Sequence, residues 1–299
     1  MRANLVVVRC GRASRHDAWT AGGAPRNFDL VLCPYEDVAP GGDVPSLART
    51  IPGQKWTGLA RFLEEERIWR DYERVWLPDD DLSTTASDVS RFFDLCRRHD
   101  AALAAPALAQ GSTWTHLVTL RNTEFTARAT TFVELMAPCF RRDVLERLRP
   151  TLGESRTGFG WGLDDAWSRL LAYRGIWVMD EVAVLHDRPV GVLRSPADRE
   201  AAKEEMRRVR DRFDACSLRK TVGGFDRGGV WLEERDPRFA ETLREGYRWL
   251  FERKPDADRR LRRAQARDPE AWLRGGERRA AAKARPPWWR RLRGAGAVP

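Results

Sequence analysis

The stretch VWLPDDDL, residues 75–82, places three adjacent carboxylates directly after a short apolar run. The apolar part has the composition of a buried strand, and Pro78 ends it. Neighbouring negative charges repel one another unless a cation lies between them, and Mg²⁺ and Mn²⁺ prefer carboxylate oxygens. The carboxyl end of a strand is also where ligands bind in an α/β sheet. The stretch therefore indicates a cation site, and a helix-capping loop stays open as the alternative.

On both sides of this stretch, strand-like runs alternate with helical patterns. The candidate strands are Asn4–Cys10, Phe28–Cys33, Arg74–Leu77, Ala101–Ala105, Phe132–Phe140, Ile176–Asp180 and Val182–His186. The candidate helices are Lys55–Arg70, Thr85–His99 and Asp164–Tyr173. Ser83 or Thr84 is a suitable N-cap for the second of these helices. The alternation predicts an α/β domain over residues 1–194, with a mostly parallel central sheet that is flanked by helices.

After this domain the sequence pattern changes, which predicts a helical extension over residues 195–255 that packs on it. Ser195 is a suitable cap for a helix with Pro196 at its first position, and Asp236 opens a second helix. A glycine-rich break that begins at Val222 separates the two helices. From residue 256 to residue 299 the sequence is rich in Arg and Ala and poorly patterned, which predicts a disordered tail.

The basic character of the chain is concentrated in that tail. The 299 residues carry a net charge of +9, and residues 256–299, with 13 basic and 5 acidic side chains, account for +8 of it. The body is therefore close to neutral, and we expect no nucleic-acid partner. The five cysteines show no paired spacing, which indicates reduced thiols in a cytoplasmic protein. No apolar run approaches the roughly 18 to 20 residues that span a bilayer.

A second acidic group ends a glycine- and aromatic-rich loop, TGFGWGLDD, residues 157–165. Its three glycines let the backbone approach a ligand closely, and Trp161 is suited to stack on a sugar face. A carboxylate at this point, Asp164 or Asp165, can take a proton from an attacking hydroxyl. A helix N-cap is the alternative role for Asp164, but it does not account for the Gly-Trp-Gly sequence before it.

Two further polar residues stand in apolar surroundings. His186 ends a predicted strand. It therefore either lies with the ligand-binding residues at the carboxyl ends of the strands or makes a structural hydrogen bond. Glu134 lies inside the apolar run Phe-Val-Glu-Leu-Met, where a carboxylate is costly unless it is paired. We therefore expect Glu134 to line the site.

Taken in order, VWLPDDDL, FVELMAPCF, GFGWGLDD and VLHDRPVG resemble the domain-of-unknown-function family 707 of plants and bacteria, as do NLVVVRCG and NFDLVLCPYED near the start. The resemblance implies the GT-A fold of nucleotide-diphosphosugar transferases. It implies that Asp79 and Asp81 form a DxD pair that holds Mn²⁺ or Mg²⁺ on the donor diphosphate, and that His186 completes the metal shell. The loop before Asp164 is similar to that of inverting galactosyltransferases, whose acidic residue is the base, and the family pattern holds Asp164 more firmly than Asp165.

The motifs and the resemblance together predict a metal-dependent, inverting glycosyltransferase. Its donor is expected to be a nucleotide diphosphosugar, UDP-linked by fold analogy, and its acceptor a hydroxyl of a glycan or lipid-linked glycan, as in bacterial polysaccharide biosynthesis. The predicted residues are Asp164 and Asp165 for catalysis; Tyr35, Asp37, Lys55, Asp79 and Asp80 for the donor; Trp114, His116, Glu134 and Trp161 for the acceptor; and Asp79, Asp81 and His186 for the metal. A nucleotidyltransferase or phosphohydrolase, and a sugar-nucleotide-binding protein without turnover, remain the alternatives.

The tail itself suggests a partner. Residues 286–293, PPWWRRLR, combine two tryptophans with three arginines. Trp favours the headgroup level of a bilayer, and Arg is attracted to anionic lipid. We therefore predict reversible contact with the inner face of the cytoplasmic membrane, with a solubilising disordered end as the alternative.

Overall fold

The computed structural model describes residues 2–38, 43, 50–189 and 195–284, with side chains as far as residue 276. Within these residues the chain forms nine strands and nine α-helices, together with four short 3₁₀ helices. The strands are β1 (Asn4–Cys10), β2 (Phe28–Pro34), β3 (Arg74–Trp76), β4 (Leu103–Leu108), β5 (Phe125–Thr130), β6 (Cys139–Arg141), β7 (Ile176–Val184), β8 (Thr221–Asp226) and β9 (Trp231–Glu233). The helices are α1 (Lys55–Glu65), α2 (Ala86–Arg98), α3 (Arg142–Leu148), α4 (Leu163–Leu170), α5 (Pro196–Phe213), α6 (Phe239–Glu245), α7 (Arg248–Arg253), α8 (Asp256–Gln265) and α9 (Pro269–Ala284).

The strands form one mixed sheet in the order β2-β1-β3-β6-β4-β7-β5-β8-β9. β1 pairs in parallel with both β2 and β3, and β4 pairs in parallel with β7. The other five neighbouring pairs are antiparallel, because β5, β6 and β9 run against the remaining six strands. The predicted α/β class is confirmed. Most strands share one direction as predicted, but parallel neighbours predominate only in the N-terminal part of the sheet.

Both faces of the sheet are covered by helices, because successive side chains of a strand point to opposite sides. Leu5 and Val7 of β1 pack in one buried cluster with residues of α1, α3, α4 and α5. Val6 and Val8 pack in a second cluster with residues of α2, α6, α7 and α8. The helices that follow residue 195 therefore contribute to both sides of one core, and the sheet edge that carries the acidic residues is fixed from both sides.

Several local predictions are confirmed by the structure. β1 spans the predicted residues, and α5 begins as predicted, because the Ser195 side chain accepts from the Asp198 amide while Asp198 caps the Ser195 amide in return. The cap of α2 is Thr85, one residue later than the latest predicted candidate, and its hydroxyl accepts from the amide of Asp88. None of the five cysteines, all within the described residues, forms a disulfide.

The predicted strand Phe132–Phe140 is wrong for most of its length. Only β6 is a strand there, and the preceding residues form a loop. The carbonyls of Leu135 and Met136 accept from the Lys55 ammonium, and the Met136 carbonyl also accepts from the Asp79 amide. The apolar run therefore builds a loop at the edge of the sheet, because its carbonyls bind a lysine and a loop amide instead of a neighbouring strand.

The C-terminal third differs from the prediction in two respects. Residues 195–255 are not only helical, since the glycine-rich segment forms β8, which pairs with β5 and carries the sheet on to β9. Nor is residue 256 the start of disorder, since α8 packs with Leu261 only 4% exposed. Residues 285–299, which include the PPWWRRLR segment, lie outside the described residues.

Candidate active site

A cavity of about 410 Å³ opens where β3 and β7 end. It is lined by Asp79 and Asp81 after β3, by His186 after β7, by Glu134, and by the loop that leads into α4. Its volume lies within the range of small-molecule sites. The structure therefore brings together the three acidic and histidine-bearing motifs that the sequence singled out.

Lys55, at the first position of α1, binds Asp79. Its ammonium donates to Asp79 Oδ1 at 2.6 Å and to the carbonyls of Leu135 and Met136 at 2.7 and 2.9 Å. Burial raises the pKa of Asp79 against the opposing effect of Lys55, and burial lowers the pKa of Lys55 itself. Asp79 therefore already has a cation beside it, which competes with the metal-binding role that the sequence predicted for this carboxylate.

Asp81 and His186 form a different kind of pair. His186 Nδ1 lies 3.1 Å from the carbonyl of Thr113, and its Nε2 lies 3.4 Å from Asp81 Oδ2. An Nδ1–H that donates to the carbonyl leaves Nε2 of the neutral ring as an acceptor, facing a carboxylate that is also an acceptor. Two acceptors that face each other are stabilised either by a proton on Nε2 or by a metal ion between them. Burial raises the pKa of Asp81, but the contact with His186, the charge of Arg188 and a backbone hydrogen bond together outweigh burial and lower it.

The side chains of the site can supply some, but not all, of the ligands of a metal ion. Among the residues that the structure describes, no three His, Cys, Asp or Glu side chains are arranged to hold a metal ion by themselves. A Mg²⁺ or Mn²⁺ ion that is bound partly by a substrate phosphate and waters needs only one or two protein ligands. Asp81 Oδ1 is buried and has no hydrogen-bond partner among the described residues, and it lies on the same carboxylate as the oxygen that faces His186. Asp81 and His186 are thus the donor pair that fits such an ion.

Asp80 turns away from the cavity. Its Oδ2 accepts from the Gly11 amide at 3.1 Å and from the Tyr35 hydroxyl at 3.2 Å. Tyr35 and the exposed Asp37 do not line the cavity within the described part of the chain. Of the five residues predicted to bind the donor, the structure brings Lys55 and Asp79 to the cavity, and the roles of the other three stay predictions.

The glycine-rich loop is shaped by close contacts on both sides. Gly160, at a φ of +78°, lies against the indole of Trp56, and a Cβ at this position would overlap that ring. Gly162, at a φ of +95°, begins α4, and a Cβ there would lie 3.1 Å from the Cα of Met206 on α5. Both positions require a conformation that favours glycine. The loop is therefore enclosed between α1 and α5, and Trp161 lines the cavity.

The two consecutive aspartates of α4 have different surroundings. Asp165 accepts from Arg210 Nε at 2.7 Å and from Arg219 at 2.6 Å, and it is only 1% exposed. Asp164 lines the same cavity and makes no ion pair with any described residue, and its Oδ1 accepts from the Asp165 amide. Burial, together with the charge of Asp165, raises the pKa of Asp164 to about 8. The geometry therefore separates the two candidate bases.

Glu134 is a second carboxyl of the cavity that makes no ion pair within the described residues. Its Oε2 is buried without a hydrogen-bond partner, and burial raises its pKa to about 7. Glu134 lines the cavity, and its oxygen without a partner among the described residues is available to a ligand.

Of the other residues predicted to contact the acceptor, one lines the cavity and one does not. His116 lines the cavity, and burial together with nearby arginines, above all Arg219, lowers its pKa to about 3. Trp114 does not line this cavity. It lies between the charged ends of Lys254 and Arg260, at 4.9 and 5.1 Å from its ring centre. Its acceptor role stays a prediction.

Sequence reasoning missed the basic residues that complete the site. Arg210 and Arg219 both line the cavity and bind Asp165. Arg210 stands four residues after Met206, which belongs to the apolar stripe of α5, so its helical position placed it on the buried face. No local pattern singled out Arg219, which lies in the segment between α5 and β8.

No protein-family model matches this chain, and no curated protein is similar enough in sequence to count as a relative. Among solved structures, S. aureus TarS 1-349 in complex with UDP is 12% identical, with a TM-score of 0.46 over 69% of this chain and 64% of that one. The same protein in complex with UDP-GlcNAc is 12% identical, with a TM-score of 0.47 over 70% and 65%. GalNAc-T7 with UDP, GalNAc and Mn²⁺ is 11% identical, with a TM-score of 0.46 over 72% and 55%. This chain thus spans about two thirds of the TarS structures and about half of GalNAc-T7.

None of the helices in the described residues, from residue 2 to residue 284 with the stated gaps, is long and apolar enough to cross a membrane.

Proposed function

We propose that this chain is a metal-dependent, inverting glycosyltransferase of the GT-A type, related to domain-of-unknown-function family 707. The observation that carries the proposal is that one cavity holds the Asp81–His186 pair and the unpaired Asp164. A sugar-nucleotide transferase needs both elements, because one part of its site must bind a diphosphate and another must accept a proton.

Asp81 and His186 would hold the cation, and Lys55 would keep Asp79 neutralised beside them. Mn²⁺ or Mg²⁺, when bound, supplies positive charge that stabilises the departing nucleoside diphosphate. The Thr113 carbonyl orients the His186 ring, and such hydrogen bonds from outer partners hold metal-binding histidines in place. The donor is a nucleotide diphosphosugar, with a UDP-sugar as the first candidate.

Asp164 would accept the proton of the acceptor hydroxyl. The freed oxygen forms a bond to the anomeric carbon while the bond from that carbon to the diphosphate breaks, which inverts the configuration. Asp165 is unsuited to this role because Arg210 and Arg219 occupy both of its oxygens. Glu134 and Trp161 would contact the acceptor or the transferred sugar, and the acceptor is a glycan or a lipid-linked glycan.

The test is calorimetric titration of UDP into the full-length protein with and without Mn²⁺, followed by a turnover screen of UDP-sugars. We expect binding that needs the metal, and transferred sugar that exceeds free sugar once an acceptor is supplied. Free sugar alone would instead favour the phosphohydrolase. Absence of nucleotide binding under both conditions would overturn the proposal.

A further inference from the structure

A second, smaller cavity of about 160 Å³ adjoins the first one. The two cavities share Thr115, His116 and Arg219, so a molecule that occupies the first can extend into the second. The far wall of the second cavity is formed by Thr221 and by Arg260 of α8. A cavity of this size holds a group as large as benzene or a phosphate.

The charged residues that line this second cavity are all basic. Arg219 and Arg260 are its only ionisable residues besides His116 within the described part of the chain. Asp258, the acidic residue nearest to Arg260 along α8, is bound by Arg244 and Arg262 instead, each at 2.9 Å. Arg260 makes no ion pair with any described residue, and its contact is with the ring of Trp114. One guanidinium therefore remains available.

The surroundings reinforce this positive charge. Lys254 lies on the same indole as Arg260, so two cations converge on Trp114. His116 accepts from Arg219 through Nδ1 at 3.4 Å, and it stays uncharged at neutral pH because burial and three arginines lower its pKa to about 3. Neutral donors are also present, since Thr115 and Thr221 line the cavity. A cavity lined by cations and hydroxyl donors is suited to an anion and unsuited to a cation.

We propose that the second cavity binds an anionic group, a phosphate ester or a carboxylate, of the acceptor, so that the acceptor is an acidic sugar or glycan. This inference rests on the proposed function, because it assigns the reacting hydroxyl to the side of Asp164. Arg219 would bind the anion with the part of its guanidinium that Asp165 does not occupy, and Arg260 would supply the second charge. Trp114 would then act indirectly, as the surface that positions Arg260.

The test compares three small probes in calorimetric titrations of the full-length protein at constant ionic strength. Glucose 6-phosphate and glucuronate carry the two candidate anionic groups, and glucose is the neutral control. We expect at least one anionic probe to bind more tightly than glucose, and the stronger of the two identifies the group. Arg260→Gln should weaken that probe about tenfold, the size of one lost charge-assisted hydrogen bond.

Arg259→Gln is the matched control, because it removes the same charge from the neighbouring position of α8, which is exposed as Arg260 is but lines neither cavity. It should change the affinity by less than about twofold, since water and salt screen a charge that does not line the cavity. Melting temperatures of both variants verify that α8 stays packed. Equal binding of all three probes, or equal loss in the two variants, would overturn the inference.

The same proteins are titrated with UDP and Mn²⁺ to separate the two proposals. Metal-dependent UDP binding without any preference for anionic probes would reject the anion site in the second cavity but not the glycosyltransferase proposal. If an anionic probe binds in a way that depends on Arg260 but UDP does not bind, the glycosyltransferase proposal is rejected and a site for acidic sugars remains.

Discussion

Asp164 and Asp165 are consecutive residues, yet Asp165 is bound by two arginines and Asp164 makes no ion pair within the described residues. Both residues line the cavity, but the first turn of α4 brings only the Asp165 carboxylate within reach of Arg210 on α5 and of Arg219. A charge that is fully paired is a structural group, whereas an unpaired carboxyl in a cavity can exchange a proton with a ligand.

Asp164→Asn should lower turnover by about 10²- to 10⁴-fold, the usual effect of removing a general base, and leave donor affinity nearly unchanged. Steady-state kinetics and UDP calorimetry on the same preparation measure both quantities. Unchanged turnover would show that the acceptor is activated elsewhere.

Asp165→Asn is the matched variant, and its main effect should be on stability. Removing one partner of a buried ion pair leaves the other charge uncompensated, which costs about 3–5 kcal/mol. Because Arg210 and Arg219 lie partly exposed, the lower end of that range is expected. Denaturant unfolding measures the difference, and a fully stable Asp165→Asn protein that has lost turnover would exchange the roles of the two residues.

The activity should rise with pH through the pKa of the base. Asp164, with its pKa raised to about 8, is largely protonated at neutral pH, and a base must be deprotonated to act. The rate constant kcat/KM should therefore increase about tenfold per pH unit below this value and level off above it. Glu134→Gln is the control: the rise of kcat/KM should persist and move somewhat to lower pH, because the charge of Glu134 contributes to the raised pKa of Asp164. A profile that is flat or falls over this interval would contradict the assignment.

Asp81→Asn should abolish the Mn²⁺ dependence of nucleotide binding. The variant removes the charge of a carboxylate that faces His186 and carries a buried oxygen without a partner among the described residues. Asp80→Asn serves as the control, because Asp80 points to Gly11 and Tyr35 and should leave metal dependence intact. Titration of UDP with increasing Mn²⁺ measures the effect, and identical curves for Asp81→Asn and wild type would reject the metal site.

Glu205 of α5 holds the start of the glycine-rich loop. Its buried carboxylate accepts from the Ser155 hydroxyl at 3.1 Å and from the amide and hydroxyl of Thr157 at 2.7 and 3.0 Å. Glu205→Gln replaces one acceptor oxygen with a donor, so we expect a loss of about 1.5–3 kcal/mol in unfolding free energy. A lower kcat should accompany it, because the loop carries Trp161 into the cavity.

The control for this variant is Glu204→Gln, which alters the adjacent, exposed position of the same helix. Its stability and kcat should match the wild type within experimental error. If Glu204→Gln and Glu205→Gln behave alike, the loop is held by other contacts.

The basic tail can be tested on anionic vesicles. A chain that ends at Lys254 would lose α8, whose Ala257 and Leu261 are buried, so the truncation is better placed after Ala284. Full-length protein should co-sediment at low salt and dissociate at high salt, since each basic residue near an anionic surface is worth about 1 kcal/mol. Equal sedimentation of the two chains would exclude residues 285–299 as the membrane contact.

The acidic edge of the sheet could be predicted because its signals are local. Pro78 ends an apolar run, three aspartates follow, and a second loop combines glycines with two more. The pairing of these residues could not be predicted in the same way. Arg210 and Arg219 reach Asp165 from 45 and 54 residues away, and Lys55 reaches Asp79 from 24. No local sequence pattern specifies which acidic residue will form an ion pair with a basic residue that is distant in sequence.

The strands β5 and β8 were missed for a related reason. β5 contains Arg128, a residue type that is rarely fully buried, and its guanidinium forms a fully buried ion pair with Asp180 of β7 at 2.7 Å. β8 contains a glycine pair that is typical of a loop, and the rings of Trp231 and Phe125 fill the space above those glycines. In both strands, tertiary contacts outweigh the local propensity of the sequence.

The contact of α5 with the glycine-rich loop also has a consequence for the order in which the protein is made. During synthesis the predicted catalytic segment leaves the ribosome first, but Arg210, Arg219 and the helix that encloses Gly162 follow later. Until then Asp165 has neither of the cations that neutralise it in the finished protein. A nascent or prematurely terminated chain that stops before residue 219 should therefore lack the proposed activity.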